Sequence, residues 1–335
     1  MNLEEIMITP PFILVMFLVG LVLIIKGGDW FVDAASWFAE VFGIPKFLIG
    51  ATIVSIATTL PELTTSVFAT VGGSVDIAAG NAIGSVTANM ALIMALTVVF
   101  LPAVVERKSY AQKTLLMILS CVVLLIGSLS GYLGLVPTFI LLAIFGYYTY
   151  GSIVDAKKSM ADSAGDERPH MTSKALTSNI IKFVVGTLGI VLGAKLLVDY
   201  GQELARIIGI SEGVIGVTVI AVGTSLPELV TAITAIRKKE TALSVGNIIG
   251  ANIIDLTVIL PVCSLISGGR LVVPKASYAL DLPVTLIVMA VAVIPTIFAG
   301  KYRKWQGAVM LAIYAGYLFV RCAMPEVDSI LKIFG

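Results

Sequence analysis

The sequence predicts an all-α polytopic membrane protein: ten transmembrane helices arranged as two inverted five-helix repeats. Three observations lead there. The 335-residue chain is 58% hydrophobic and only 13% charged, whereas soluble domains carry roughly 25% charged residues. Apolar runs of the ~20 residues needed to cross a bilayer recur along its whole length. A shift of 166 residues lays the first half of the chain on the second.

The spans fall at about 11–33, 45–71, 77–102, 112–130, 133–153, 178–200, 210–236, 241–266, 277–299 and 304–323. The first is a true span and not a leader, because Glu4 and Glu5 stand where a signal peptide would carry basic residues. The stretch 154–177 is the only one with a linker's composition of Asp, Lys, Arg, Ser, Gly and Pro. It divides a first repeat, 1–153, from a second, 178–335. Fifteen Lys and Arg residues fall on the linker's side of the spans, among them Lys46, Lys113, Lys182 and Lys238, against five on the other side. By the positive-inside rule the linker is cytoplasmic, and with five spans on either side of it both termini lie outside, as in a multi-pass protein of the cell membrane.

The repeat is visible residue by residue. Val32-Asp33 falls on Val198-Asp199, Gly50 on Gly216, and Gly80-Asn81-Ala82-Ile83-Gly84 on Gly246-Asn247-Ile248-Ile249-Gly250. Each half holds an odd number of spans, so the second copy enters the membrane from the opposite face. Such inverted repeats place a transporter's site near the midplane, between the halves.

The shift also superposes Thr58-Thr59-Leu60-Pro61-Glu62-Leu63 on Thr224-Ser225-Leu226-Pro227-Glu228-Leu229. A charge at membrane depth is costly and marks function by default. Pro61 and Pro227 lack an N–H, so the carbonyls of Ala57 and Gly223 lose their helical partners. Thr58 and Glu62 are one turn apart on one face. In the next span, Asn81, Ser85 and Asn89 form a polar stripe at i, i+4 and i+8, matched by Asn247, Ala251 and Asp255. Gly80, Gly84, Gly246 and Gly250 allow close backbone approach. The donors are all oxygen, which suits calcium, magnesium, manganese or sodium. Glu62, Glu228 and Asp255 have no basic partner in these motifs, so in a dry site they need a cation or a proton. That duality is what a cation antiporter requires. Asp33 and Asp199 repeat as well, but near span ends, where snorkelling or capping explains them, and Asp76 reads as a loop charge.

Gly-Thr-Ser-Leu-Pro-Glu at 223–228 and Gly-Asn-Ile-Ile-Gly-Ala-Asn at 246–252 resemble the α-repeat signatures of sodium/calcium exchangers, within the calcium/cation antiporter superfamily. The resemblance spans essentially the whole transmembrane chain, and the short linker suggests a prokaryotic member. It implies antiport of calcium against sodium by alternating access. Glu62 and Glu228 would bind calcium with the carbonyls of Thr58 and Thr224. Thr59, Ser225 and Ser85 would supply hydroxyls to flanking sodium sites, and Asn89 and Asp255 would complete the set. The Asn/Asp pairing is similar to potassium-independent exchangers. Three departures stand out: Ala57-Thr58-Thr59 replaces Gly-Thr-Ser, Val86 stands opposite Asn252, and Ala251 occupies a position where the family commonly has serine. The last removes an expected sodium ligand and leaves a proton-coupled calcium or other divalent cation exchanger as the alternative.

Other classes fit less well. A cation channel does not need midplane charges in an inverted repeat. An intramembrane enzyme would need a nucleophile–base pair or a metal-ligand set, and neither is present. His170 is the only histidine, which excludes paired-histidine zinc motifs. Cys121, Cys263 and Cys322 are too scattered to form a ligand set. The net charge of +1 suggests no nucleic-acid partner. The expected partners are the lipid bilayer and the transported calcium and sodium ions, with no obligate protein partner and no prosthetic group.

Overall fold

The computed structural model describes residues 9–163, 171–208 and 225–323. Ten helices lie within them: α1 Pro10–Phe42, α2 Lys46–Val71, α3 Val75–Phe100, α4 Arg107–Ser128, α5 Leu135–Asp162, α6 Ser173–Ile207, α7 Leu226–Arg237, α8 Thr241–Ile266, α9 Ser277–Ala299 and α10 Lys304–Ala323. Eight of them, all but α7 and α10, are long and apolar enough to cross a membrane. Of the span expected at 210–236, only the part forming α7 lies among the described residues; 209–224 lie outside them.

The two outer helices are longer than their apolar runs. α1 has 33 residues and α6 has 35, against expected spans of 11–33 and 178–200. At 1.5 Å per residue each is about 50 Å long, well over the ~30 Å hydrocarbon core. The extra turns of α1 are amphipathic, burying Ala34, Ala35, Ala39 and Val41. The helix stops at Gly43, whose φ of 65° is a left-handed cap that few other residues tolerate. The expected linker, 154–177, shrinks from both ends, because α5 runs on to Asp162 and α6 begins at Ser173, capped by the Thr172 hydroxyl.

α1 and α6 pack through glycines. A Cβ on Gly27 would lie 2.8 Å from the Gly186 carbonyl oxygen, and one on Gly186 would lie 2.8 Å from that of Gly27. One turn-pair away, Gly193 would meet the Gly20 oxygen at 2.8 Å. Residue numbers rise along α1 as they fall along α6, so the helices are antiparallel. The 166-residue shift turns the Gly20–Gly193 contact into Gly186–Gly27. A pseudo-two-fold axis therefore passes between them, which is the inverted repeat in physical form.

The loops repeat the same symmetry. At the end away from the linker, Tyr132–Gly134 (β1) pairs antiparallel with Arg270–Val272 (β2). At the linker end, Val104 bridges Lys301, with Val105 donating to Gly300 at 3.1 Å and Tyr302 to Ala103 at 2.9 Å. The shift carries Val104 onto Arg270 and Lys301 onto Leu135, beside β1.

The core centres on α3 and α8, the two most buried helices. α8 runs alongside α2, with Gly246 against the Phe47 carbonyl and Gly250 against Ala51 and Ser55. Four helices widen locally into π turns: Gly50–Val54 in α2, Asn89–Met94 in α3, Asp255–Ile259 in α8 and Ser277–Asp281 in α9. Such turns concentrate at functional sites. Within the first of them, the Tyr148 hydroxyl of α5 donates to the Ala51 carbonyl.

Lys113 departs from its expected place as a loop-side charge. It is buried in α4, where it donates to Asp155 of α5 at 2.9 Å and to Ser109 at 3.2 Å. A buried ammonium needs such partners, and the pair ties the end of α5 to the bundle. Cys121 and Cys263 are buried and free.

Candidate functional site

The predicted residues come from four helices that meet in the core. Thr58, Thr59 and Glu62 stand on α2, Ser85 and Asn89 on α3, Glu228 on α7 just after its cap residue Ser225, and Asp255 on α8; all are buried. Thr224 lies outside the described residues. Pro61 sits inside its helix, whereas Pro227 is the second residue of α7.

Hydrogen bonds join the halves crosswise. The Thr58 hydroxyl donates to the Asn247 side-chain oxygen at 3.1 Å, linking α2 to α8. The Ser225 hydroxyl donates to that of Ser85 at 3.4 Å, linking α7 to α3. Ser85 is a hub: it also accepts from the Asn89 amide at 3.3 Å and faces the Asp255 carboxylate. The shift carries the Ser225–Ser85 contact onto Thr59 and Ala251, where no second hydroxyl exists. Thr59 instead turns to the Ser55 carbonyl, at 2.6 Å. Asn81 braces the back of α2 by donating to Ser66 at 3.0 Å and to the Glu62 carbonyl at 3.4 Å.

Electrostatically the cluster is unbalanced. Glu62 lies within Coulomb reach of Glu228 and Asp255, and Asp255 within reach of Glu228. Both oxygens of each carboxylate, and Oδ1 of Asn89, are buried with no hydrogen-bond donor. No Lys or Arg pairs with any of them among the described residues. An unmet buried acceptor costs about 1–3 kcal/mol, and a bare charge costs more.

The three carboxylates do not converge on one point. Among the described residues no three His, Cys, Asp or Glu side chains stand close enough to hold a metal ion by themselves. A cation here would also need neutral oxygens, and the motif hydroxyls offer them. The Thr58 and Thr59 protons are directed at Asn247 and Ser55, which leaves their oxygen lone pairs free to face a cation.

Some features had no signal in the sequence. The π turns of α3 and α8 begin at Asn89 and Asp255, positions 166 apart. The tie between Thr58 and Asn247 crosses 189 residues of chain. Asn252 and Thr231 are buried with an unpartnered side-chain oxygen each.

A family model described as sodium/calcium exchanger protein matches residues 12–154 and again 178–323. The chain is 33% identical over 306 residues to the "Uncharacterized membrane protein MJ0091" of Methanocaldococcus jannaschii, covering 89% of this chain and 94% of that protein. It is 28% identical over 350 residues to the sodium/calcium exchanger MaX1 of Methanosarcina acetivorans, covering 94% and 99%. Among solved structures it resembles the sodium-calcium exchanger NCX_Mj soaked with sodium and strontium, with a TM-score of 0.78, 30% identity, and coverage of 91% of this chain and 97% of that one.

Proposed function

We propose, from the premise that this chain belongs to the sodium/calcium exchanger family of membrane cation antiporters, that it carries calcium out against inward sodium by alternating access. The observation that carries this reading is the set of buried acceptors with no donors: both oxygens of Glu62, Glu228 and Asp255, with Asn89 Oδ1 beside them. Such a set is stable only when cations or protons neutralise it. Calcium would be shared by Glu62 and Glu228, with the carbonyls of Thr58 and Thr224. Sodium would share Glu62 and Glu228 and add the hydroxyls of Thr59, Ser225 and Ser85, with Asp255 and Asn89 completing the set. Because both ions need the same glutamates, one must leave before the other can bind, and that competition couples their fluxes. The relatives named as exchangers, MaX1 and NCX_Mj, support the same ion pair.

Access would change when α1 and α6 move as a unit past the other eight helices. These two pack on each other more extensively than on any other helix, with backbones touching at Gly20, Gly27, Gly186 and Gly193 and the rings of Phe31 and Phe38 against Phe183. The face carrying the 154–177 linker would be cytoplasmic in a cell membrane, with the first repeat ending at 153 and the second beginning at 178.

A second reading, proton coupling, is favoured by one observation. Ala251 offers no hydroxyl where the other half has Ser85. One sodium position is thus short of a ligand, and a proton needs none. Reconstituted vesicles separate the two. With sodium loaded inside, calcium uptake should follow the sodium gradient at clamped pH. Uptake that ignores sodium and follows a pH gradient would establish the proton-coupled alternative, and downhill calcium flux with no counter-ion would point to a channel.

A further inference from the structure

The linker-side end of α1 is held to the core by a set of charges. Lys238, in the turn between α7 and α8, reaches the Asp33 carboxylate of α1 at 2.5 Å. It also donates to the Asp29 carbonyl at 3.0 Å and lies 3.8 Å from the Asp29 carboxylate. Two helical turns further along α1, Glu40 meets Lys46 of α2 at 2.9 Å, and Lys46 meets Glu240 of the same α7–α8 turn at 2.6 Å. Between the two groups lies a cleft of about 420 Å³ lined by Asp33, Ser36, Trp37, Glu40, Lys238 and Glu240. Ser36 is 9% exposed, and its hydroxyl has no hydrogen-bond partner.

The turn that carries Lys238 and Glu240 has a strained residue between them. Lys239 has a φ of 60°, and it is the only residue other than glycine with positive φ among those described. A side chain there is strained. Its repeat mate is Gly73, φ 84°, in a turn with the same backbone bonds: Gly73 to Thr70 at 3.1 Å and Ser74 to Ala69 at 2.8 Å, against Lys239 to Ile236 at 3.1 Å and Glu240 to Ala235 at 2.7 Å. The first-half turn, Gly72-Gly73-Ser74, thus has the same shape, relaxed and uncharged. The shift also carries Asp29 onto Lys195 and Glu40 onto Arg206. Gly72, at the position that answers to Lys238, offers no ammonium.

We propose that Lys238, with Glu240 acting through Lys46, latches α1 to the core on the linker face and so sets which face of the exchanger opens at rest. The inference rests on α1 moving past the core, as the exchange reading requires. For the linker face to open, Asp33 must leave Lys238 and Glu40 must leave Lys46. No ionic contact has to break at the α2–α3 turn on the far face. The latch makes the linker-facing state the rarer one and biases exchange toward the other side. Single exposed ion pairs contribute little; here one ammonium makes three contacts and a second bridges two carboxylates, so the shift should be modest and measurable.

The test reads the gap directly. In the full-length protein in lipid nanodiscs, Ser36→Cys reports opening of the cleft through its maleimide labelling rate, measured over the parent protein. Lys238→Gln should speed labelling about three- to tenfold and Glu40→Gln somewhat less, while Lys195→Gln, at the repeat-related position, should change nothing. The swapped pair Asp33→Lys with Lys238→Asp should return labelling toward the parental rate, which also guards against misfolding of the single variants. Raising salt should speed the parent and not Lys238→Gln. Parental labelling in Lys238→Gln, with an intact swapped pair as control, would overturn the latch. Labelling needs no transport, so a chain that labels as expected but moves no calcium would sink the exchange reading and leave the latch standing; calcium exchange with indifferent labelling would do the reverse.

Discussion

The two halves share a backbone plan but not a chemistry. In the first, α2 and α3 carry Thr58, Thr59, Ser85 and Asn89, a set of neutral oxygens around one carboxylate, Glu62. In the second, α8 replaces the Ser85 hydroxyl with the Ala251 methyl and the Asn89 amide with the Asp255 carboxylate. Ser85 consequently bonds to Ser225 across the pseudo-axis, while Thr59 falls back on its own helix. The second half has one charge more and one hydroxyl less. Symmetric packing thus builds the scaffold, and the departures from symmetry decide what each side of the site holds.

The variants that break this comparison can be ranked. Glu62→Gln and Glu228→Gln should have the largest effect, because either removes a carboxylate proposed to be shared by the two ions. Loss of such a charge is worth about 3 kcal/mol or more, so vesicle exchange should fall by a hundredfold or more. Calcium should raise the melting temperature of the parent, and neither variant should show that rise. Appreciable exchange in either would refute the shared-site assignment. Gly27→Ala and Gly186→Ala come next. Each pushes a methyl onto the opposing backbone, and overpacking of this kind costs about 1–3 kcal/mol. The pseudo-axis requires the two losses of stability to be nearly equal, so a large difference in thermal midpoints would show that α1 and α6 do not share the contact evenly. Asp255→Asn makes the halves alike in amide and should lower exchange about tenfold, as expected for a lost charged hydrogen-bonding group worth about 1.5 kcal/mol. A parental rate would place Asp255 outside the ion path. Ala251→Ser makes the halves alike in hydroxyl. It should draw Thr59 away from Ser55 and shift the apparent sodium affinity by roughly two- to tenfold, the range of one net hydrogen bond. Unchanged sodium dependence would exclude that position as a ligand.

Much of this was legible in the chain because the signals conflict with their surroundings. Glu62 and Glu228 after prolines in apolar runs announce themselves, and the gap-free 166-residue shift fixes the repeat before any packing is known. The polar stripe of Asn81, Ser85 and Asn89 follows from spacing alone; in the structure Ser85 and Asn89 are buried and Asn81 is half-buried. Burial of Lys113 was not legible. A lysine at a span end looks like a positive-inside charge, and its partner Asp155 is 42 residues away. The length of α1 was hidden too, since residues 11–33 already suffice to cross the bilayer, and 34–42 continue the helix by packing one face. The turn at Lys239 gave no warning either, because sequence preference argues against a lysine in that conformation and the neighbouring helices impose it.

The π turns carry a consequence of their own. One extra residue in a turn rotates everything beyond it by about 100°. On α3 the stripe Asn81–Ser85–Asn89 approaches from the face away from the linker, and on α8 Asn247–Ala251–Asp255 approaches from the linker's face. Each helix widens at the end of its stripe, so neither polar line continues straight to the far side. The two lines meet in the core and not end to end, where the Ser85 hydroxyl faces the Asp255 carboxylate. Moving one elementary charge through the membrane voltage is worth about 2.3 kcal/mol per 100 mV, and by this geometry a charge carried across would change lines where the two meet.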